Sequence, residues 1–335
     1  MKQTDIQFNP PSVPEKLGFD IIRETIGNYL YTPAGRRFLS DMKPSSDADT
    51  VARTHQESAE MLSFHRHDST WPYVPLEDIN EWLEQCKAEG AVLHLGIFPE
   101  IRNHARVARK VRSTLEREKE STPALWNIAT GLKPLKNLED SINKVVTDEG
   151  MIRKDASSEL KSIRSKLNTH KRALRSTVER IFKKLTADGI ASDEGPTIRS
   201  GRMVIPVQAE YKRKVEGFIH DVSASGQTVY LEPVEALQIN NDIRQLEIGE
   251  KQEIERILRS LTAKVRKNRS ILEKNAGLLG RLDLIYARTR ASEKWDGVIP
   301  RLSEHGEIRL IQGLNPNLLL KNLQIKADNR EPVVP

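Results

Sequence analysis

Few residues in this 335-residue chain have the types and spacing that chemistry needs. His220-Asp221 has the composition of an acid–base pair. Adjacent residues on a strand face opposite sides, however, and the sequence places no serine or cysteine nucleophile beside them. His65 and His67, with Asp68, have ligand-like spacing, but two histidines in a polar connector are more often solvated than bound to zinc. The single cysteine, Cys86, excludes an internal disulfide and any multi-cysteine zinc or iron–sulfur site. It follows Trp82 and Leu83 on a predicted helix with only Lys87 as a basic neighbour, which suits a packing residue. No G-x-x-x-x-G-K-[ST] loop occurs, so the amide cradle and lysine for ATP phosphates are missing. The expectation is no catalytic residue, no metal and no cofactor in this chain.

Binding is better supported than catalysis. The chain carries 53 basic and 47 acidic residues, a net charge of +6. Between residues 151 and 190 eleven basic residues oppose four acidic ones, so the positive excess is concentrated there. The candidates are Lys161, Arg164, Lys166, Lys171 and Arg172, then Arg175, Arg180, Lys183 and Lys184. A second cluster, Arg199, Arg202, Lys212, Arg213 and Lys214, lies beside Glu210 and Glu216. A basic rod can meet successive backbone phosphates without reading bases; the plainer alternative is a solvated coiled-coil face. Ser223, Ser225, Gln227 and Thr228 can donate to phosphate oxygens, though a tight turn closing a sheet explains them more simply. Trp71, Trp82, Trp126 and Trp295 are dispersed, with no stacking platform for single strands.

The elements that position these residues follow from composition and periodicity. Length suggests about two domains. With 37% hydrophobic, 30% charged and only 5% aromatic residues, the composition leans towards long helices. No run of about 18 apolar residues occurs and the N-terminus carries no apolar stretch, so neither membrane spanning nor secretion is expected; one cysteine fits a reducing cytoplasm. Residues 14–131 read as a compact helical domain. Pro14 opens a helix that Thr32-Pro33 interrupts, a second ends before Pro44, and a third runs from about Val51 to Phe64. Further helices hold Ile79, Trp82 and Leu83, and span Pro99 to Glu118. The last displays Arg102, Arg106, Arg109, Lys110, Arg112, Arg117 and Lys119 against Glu116 and Glu118.

From Ser157, Leu160, Ile163, Leu167, Leu174, Ile181 and Leu185 recur at threes, fours and sevens, predicting a helix over 157–187 about 45 Å long. Extended patterning then predicts a small antiparallel sheet over 197–233, with a turn at Ser223-Ala224-Ser225-Gly226. Helical spacing returns from Ile243 to Ile285. Neither helix buries its stripe alone, so the second is expected to pack back along the first. Glu307 to Ile311 reads as a strand, Leu314 to Leu318 as a turn, and the chain is expected to be cut where another domain starts.

Arg202-Met203-Val204-Ile205-Pro206-Val207, Tyr211, and the run Gly217-Phe218-Ile219-His220-Asp221-Val222-Ser223-Ala224-Ser225-Gly226-Gln227-Thr228-Val229-Tyr230-Leu231-Glu232-Pro233 closely resemble the clamp segment of bacterial MutS-like ATPases of the second family, MutS-two. Asn240-Asn241 and Leu246-Glu247 resemble that family's entry to the return helix. Weaker likeness covers Leu17 to Leu39, with Thr32-Pro33-Ala34-Gly35, and Leu282-Asp283-Leu284-Ile285-Tyr286-Ala287. The resemblance implies the core, lever and clamp of a homodimeric paralogue of the mismatch-repair protein MutS, associated with suppression of recombination and rescue of stalled or collided ribosomes. It implies ATP and Mg2+ in an ATPase domain downstream, and in many members a nuclease-type Smr domain. Where the family has Arg-His-Pro, this chain has Leu314-Asn315-Pro316.

The expected fold is mainly α with a small inserted β-rich domain: a helical core (1–150), an outgoing lever helix (151–196), a β-rich clamp tip (197–233), a returning lever helix (234–290) and a junction (291–335). The lever is expected to be a long antiparallel coiled coil. The expected function is non-catalytic binding of the phosphate backbone of duplex DNA or ribosomal RNA in the cytoplasm, with no membrane role. The isolated chain is expected to be a monomer or weak dimer. The alternative is a structural interaction or dimerisation module, in which Phe218, Ile219, Val229 and Tyr230 matter more than the cations.

Overall fold

The computed structural model describes residues 6, 8–66, 70–303 and 305–327, the last five by their backbone alone. His67 and Asp68 lie outside the described residues. The chain divides into two compact units, one of residues 1–143 with 262–335 and the other of residues 144–261. The elements in order are α1 (Val13–Lys16), α2 (Phe19–Gly27), α3 (Pro33–Ser40), α4 (Ala48–Arg66), α5 (Asn80–Gln85), α6 (Phe98–Arg117), α7 (Pro123–Ala129), α8 (Lys136–Val145) and α9 (Ser158–Ala187). There follow β1 (Thr197–Arg199), β2 (Arg202–Gln208), β3 (Gly217–Val222), β4 (Thr228–Pro233), α10 (Val234–Lys267), α11 (Arg269–Glu293) and α12 (Pro316–Ala327). The fold is mostly helical with one small sheet.

In the first unit α11 packs on α2, α3, α4, α6 and α7. Leu279, Leu282 and Ile285 join Met61, Val111, Leu115 and Leu125 in the core, each almost wholly buried. Burial of each such side chain stabilises by about 1.5–3 kcal/mol. Polar groups fix the register. Thr32 caps α3, its Oγ1 accepting from Gly35 N at 2.9 Å. Asp283 Oδ2 accepts from Thr32 N and from Thr32 Oγ1, both at 2.7 Å, and its carboxylate also accepts from Tyr31 N. Burial raises the Asp283 pKa to about 6, against the lowering effect of those donors. Glu60 accepts from Ala124 N at 3.0 Å and Leu125 N at 2.9 Å, satisfying amides that the first turn of α7 leaves free. Gly280 permits the close approach of α11 to α3, since a Cβ there would lie 2.4 Å from Ala34 Cβ and 2.8 Å from its carbonyl carbon.

The basic face of α6 is largely bound into this unit. Arg109 makes a bidentate pair with buried Glu139, Nε to Oε1 and Nη2 to Oε2, both at 2.8 Å. Arg112 donates to the carbonyls of Ala129, Thr130 and Leu132 and lies over the Trp126 ring. Cys86 is buried and its Sγ donates to Leu83 O, with burial pushing the thiol pKa up. Trp71 lies parallel to the Tyr286 ring, centroids 5.9 Å apart, inside the core.

The second unit holds α9, the sheet and α10 as far as Leu261. Ser157 caps α9 through Leu160 N, and its hydroxyl donates to Glu253 Oε1 on α10 at 2.6 Å. The helix ends at Asp188 before Gly189, whose positive φ of 65° suits a residue without Cβ. The pairs Ser157–Glu253, Arg164–Glu250 and Lys171–Glu247 descend along α10 as they ascend α9, so within this unit the two helices run antiparallel. Ile163, Leu167, Leu174, Val178 and Ile181 share a core with Ile243 of α10 and with Ile205, Val207, Val229 and Leu231 of the sheet. The strand order is β1-β2-β4-β3, with every pair antiparallel.

Three features depart from the sequence expectations. The returning helical run is broken at Asn268 into α10 and α11, and α11 lies in the first unit. Residues 307–311 form no strand; an apolar run becomes a strand only when a neighbour takes up its backbone groups, and none does so among the described residues. Val229 and Tyr230 are buried, the first in the core shared with α9 and the second under the Arg199 guanidinium; only Phe218 and Ile219 of the four expected tip residues are exposed.

Candidate nucleic-acid interface

Periodicity sets which α9 cations meet solvent. At about 100° per residue, Lys161, Arg172, Arg180 and Lys183 fall on the side of the helix opposite the buried stripe from Leu160 to Leu185, while Lys166 and Lys184 lie on its flank. All six of these cations are exposed, and among the described residues none is held in a salt bridge or side-chain hydrogen bond. Lys161, Arg172 and Lys183 lie eleven residues apart and therefore within about 40° of one another, one row up the rod. Of the other three candidates, two pair with α10 and one with its own helix. Arg164 Nε donates to Glu250 Oε1 at 2.6 Å, Lys171 pairs with Glu247 at 3.1 Å, and Arg175 Nε donates to Glu179 at 2.8 Å. The α9 surplus thus serves two purposes: part is matched by carboxylates on α10, and part is left facing water. The run Asp242, Glu247, Glu250 and Glu253 on the return helix was the available sequence signal for this match.

The tip cluster divides in the same way. Glu232 is fully buried on β4, and its Oε1 accepts from Arg202 Nη1 and Asn240 Nδ2, both at 2.7 Å. Its Oε2 meets His220 Nε2 at 2.6 Å. Arg202 Nη2 also donates to Asn241 Oδ1 at 2.7 Å, and Asn240 meets the backbone of Met203. Glu232 therefore ties β2, β3 and the start of α10 together, and His220 has a structural partner. A register shift in β3 between Ile219 and Asp221 accompanies this arrangement. Asp221 pairs with Arg199 at 3.5 Å, and Arg199 lies over the Tyr230 ring at 4.4 Å. Arg199 and Arg202 are thereby occupied, whereas Lys212 and Arg213 are exposed after β2, as is Lys214, whose Nζ lies over the Tyr211 ring at 4.6 Å.

The turn residues mostly serve the turn. Ser223 N donates to Thr228 O at 2.8 Å, Thr228 N to Ser223 Oγ at 3.0 Å, and Gly226 adopts φ +73°. Ser225 Oγ meets Ser223 Oγ at 3.4 Å. Gln227 and Thr228 border a concavity of about 530 Å3 that also includes Asp193 and Glu210, carboxylates that would repel a phosphate there. Pro233 is buried at the end of β4, opposite Gly217, where a Cβ would lie 2.3 Å from Glu232 O. The clamp-like motif is thus chiefly a folding device.

His65 belongs to the first unit, with Nε2 3.7 Å from Glu293 Oε2 and its ring edge-on to Tyr286. Among the described residues no three potential metal ligands gather, and no helix is long and apolar enough to cross a membrane.

No family model matches the chain. Endonuclease MutS2 of Clostridium perfringens strain 13 is 32% identical over 314 residues, which cover 93% of this chain and 39% of that protein. The chain is homologous to part of MutS2. The MutS2 of Geobacillus sp. strain WCH70 is 31% identical over 303 residues, and that of Listeria monocytogenes strain EGD-e 32% over 305. The chain spans about two fifths of the length of these MutS2 relatives, 38% or 39%. Its sequence contains no G-x-x-x-x-G-K-[ST] loop. The two weaker segments of family likeness meet in the structure, since Asp283 receives the Tyr31 and Thr32 amides.

Proposed function

We propose that residues 144–261 form the lever and clamp of a MutS2-type protein and bind the phosphate backbone of duplex DNA or ribosomal RNA. The observation that carries this reading is the exposed row of α9 cations, which the acidic face of α10 leaves unmatched. Cations at fixed spacing neutralise successive phosphates and release counterions whatever the base sequence. Lys212, Arg213 and Lys214 extend the surface. α9 and α10 act as an antiparallel coiled-coil lever, and the Glu232 node holds the tip sheet on it. In the whole protein two such chains work as a homodimer, with ATP and Mg2+ acting outside the residues described. The roles in recombination and in rescue of stalled or collided ribosomes come with the MutS2 likeness and belong to the same proposal, as does cytoplasmic location.

The test is charge reversal along the single row, Lys161→Glu, Arg172→Glu and Lys183→Glu together, measured against duplex DNA and purified ribosomes. These side chains are exposed, so the fold is retained. Loss of three phosphate contacts lowers the log–log salt slope for DNA by about 2.7. Unchanged affinity for both partners would overturn the proposal. It would favour the second reading, an interaction module, for which the exposed Phe218, Ile219 and Val222 on edge strand β3 are the supporting observation.

A further inference from the structure

A cavity of about 250 Å3 lies in the first unit between α4, α11 and the segment that follows α11. Arg288 lines it with His55, Leu62, Val298, Ile299 and Pro300. The guanidinium has only neutral acceptors: Nη2 donates to Ser58 Oγ at 2.7 Å and to Thr54 O at 3.3 Å. The Ser58 hydroxyl spends its own proton on Thr54 O at 2.9 Å, so it meets Arg288 with a lone pair. Arg288 Nε is shielded from solvent and has no hydrogen-bond partner. The nearby buried carboxylate, Glu57, already accepts from Arg281 Nη2 at 2.6 Å. A guanidinium in such surroundings carries a charge that no acceptor anion meets, and with Nη2 committed and Nε shielded its Nη1 donors are left for a carboxylate.

We propose that this cavity binds a small monocarboxylate with an apolar body, its carboxylate on Arg288 and its body against Leu62, Val298, Ile299 and Pro300. The charge arithmetic selects the class. Arg288 is the one Arg or Lys among the residues lining the cavity, so a single negative charge balances it, whereas a phosphate dianion would bring excess charge against apolar walls. The burial that pulls the Arg288 pKa down is the same desolvation that an anion would offset, with Glu57 acting in the opposite direction from a distance.

The test titrates the full chain with benzoate, acetate and inorganic phosphate, following amide shifts by NMR. Benzoate is expected to bind saturably in the submillimolar range, acetate more weakly, and phosphate not at all. Arg288→Lys, which loses the Nη1 donors, and Val298→Glu, which puts a like charge at the rim, are each expected to weaken benzoate at least tenfold. Val298 is 87% exposed, so the second variant reads out even if the first fails to fold. No saturable benzoate binding, an unchanged affinity in Val298→Glu, or a preference for phosphate would overturn the assignment.

Discussion

Glu232→Gln is the sharpest probe of the tip. The substitution keeps volume and one carbonyl oxygen but removes the charge that Arg202, Asn240 and His220 converge on. Glu232 is fully buried, whereas the Arg202 side chain keeps 27% exposure and recovers part of its hydration. The loss therefore falls below that of breaking a fully enclosed ion pair. Losing one charge-assisted bond and weakening another costs about 2 kcal/mol. Because the chain has two units, the effect should be local. Native-state hydrogen exchange at Ile205 and Leu231, which pair across β2 and β4, is expected to quicken roughly thirtyfold, while Val107 and Leu125 in the first unit keep their rates. Equal rates at Ile205 and Leu231 in the two proteins would refute the reasoning that Glu232 holds the sheet.

Two further predictions concern the first unit. Asp283 has a folded pKa of about 6, above the usual 3.8, so the folded state binds its proton more tightly. Its contribution is present in full below about pH 4 and is lost as pH rises to about 6, a change on the order of 3 kcal/mol. Unfolding free energies from urea melts should fall across that window by about this much more in wild type than in Asp283→Asn, and parallel profiles would contradict it. Gly280→Ala forces a methyl into Ala34 and is expected to cost about 1–3 kcal/mol, read as an earlier thermal transition of the first unit; an unchanged transition would show that α3 can yield.

The long elements were legible because their periodicity is strong. The sequence places one helix over 157–187, and the structure has it at 158–187, starting from the Ser157 cap. The sheet was legible from β-branched runs and from Gly201 and Gly226, both with positive φ. The break at Asn268 was not, because Val265 and Leu272 keep helical spacing across it and the intervening residues include no proline or glycine. Residues 307–311 carried a strand pattern, but pairing depends on a neighbour that a local pattern does not reveal. In the candidate site, sequence identified where positive charge accumulates. It did not separate Arg199 and Arg202, occupied by Asp221, Tyr230 and Glu232, from Lys161, Arg172 and Lys183, which face water. That separation depends on residues far along the chain. For Ser223 to Thr228 the sequence favoured a tight turn over phosphate contact, which the turn hydrogen bonds match, but it did not reveal the network that His220, Arg202 and Asn240 form around Glu232.

The backbone-clamp account is tested most directly by the salt dependence of duplex binding by the unaltered chain. With the six α9 cations that lack a carboxylate partner on phosphates, log affinity should fall against log salt with a slope of about −5, and DNA duplexes of unrelated sequence should give the same line. A slope near zero, or affinities that separate by base sequence at constant salt, would contradict it.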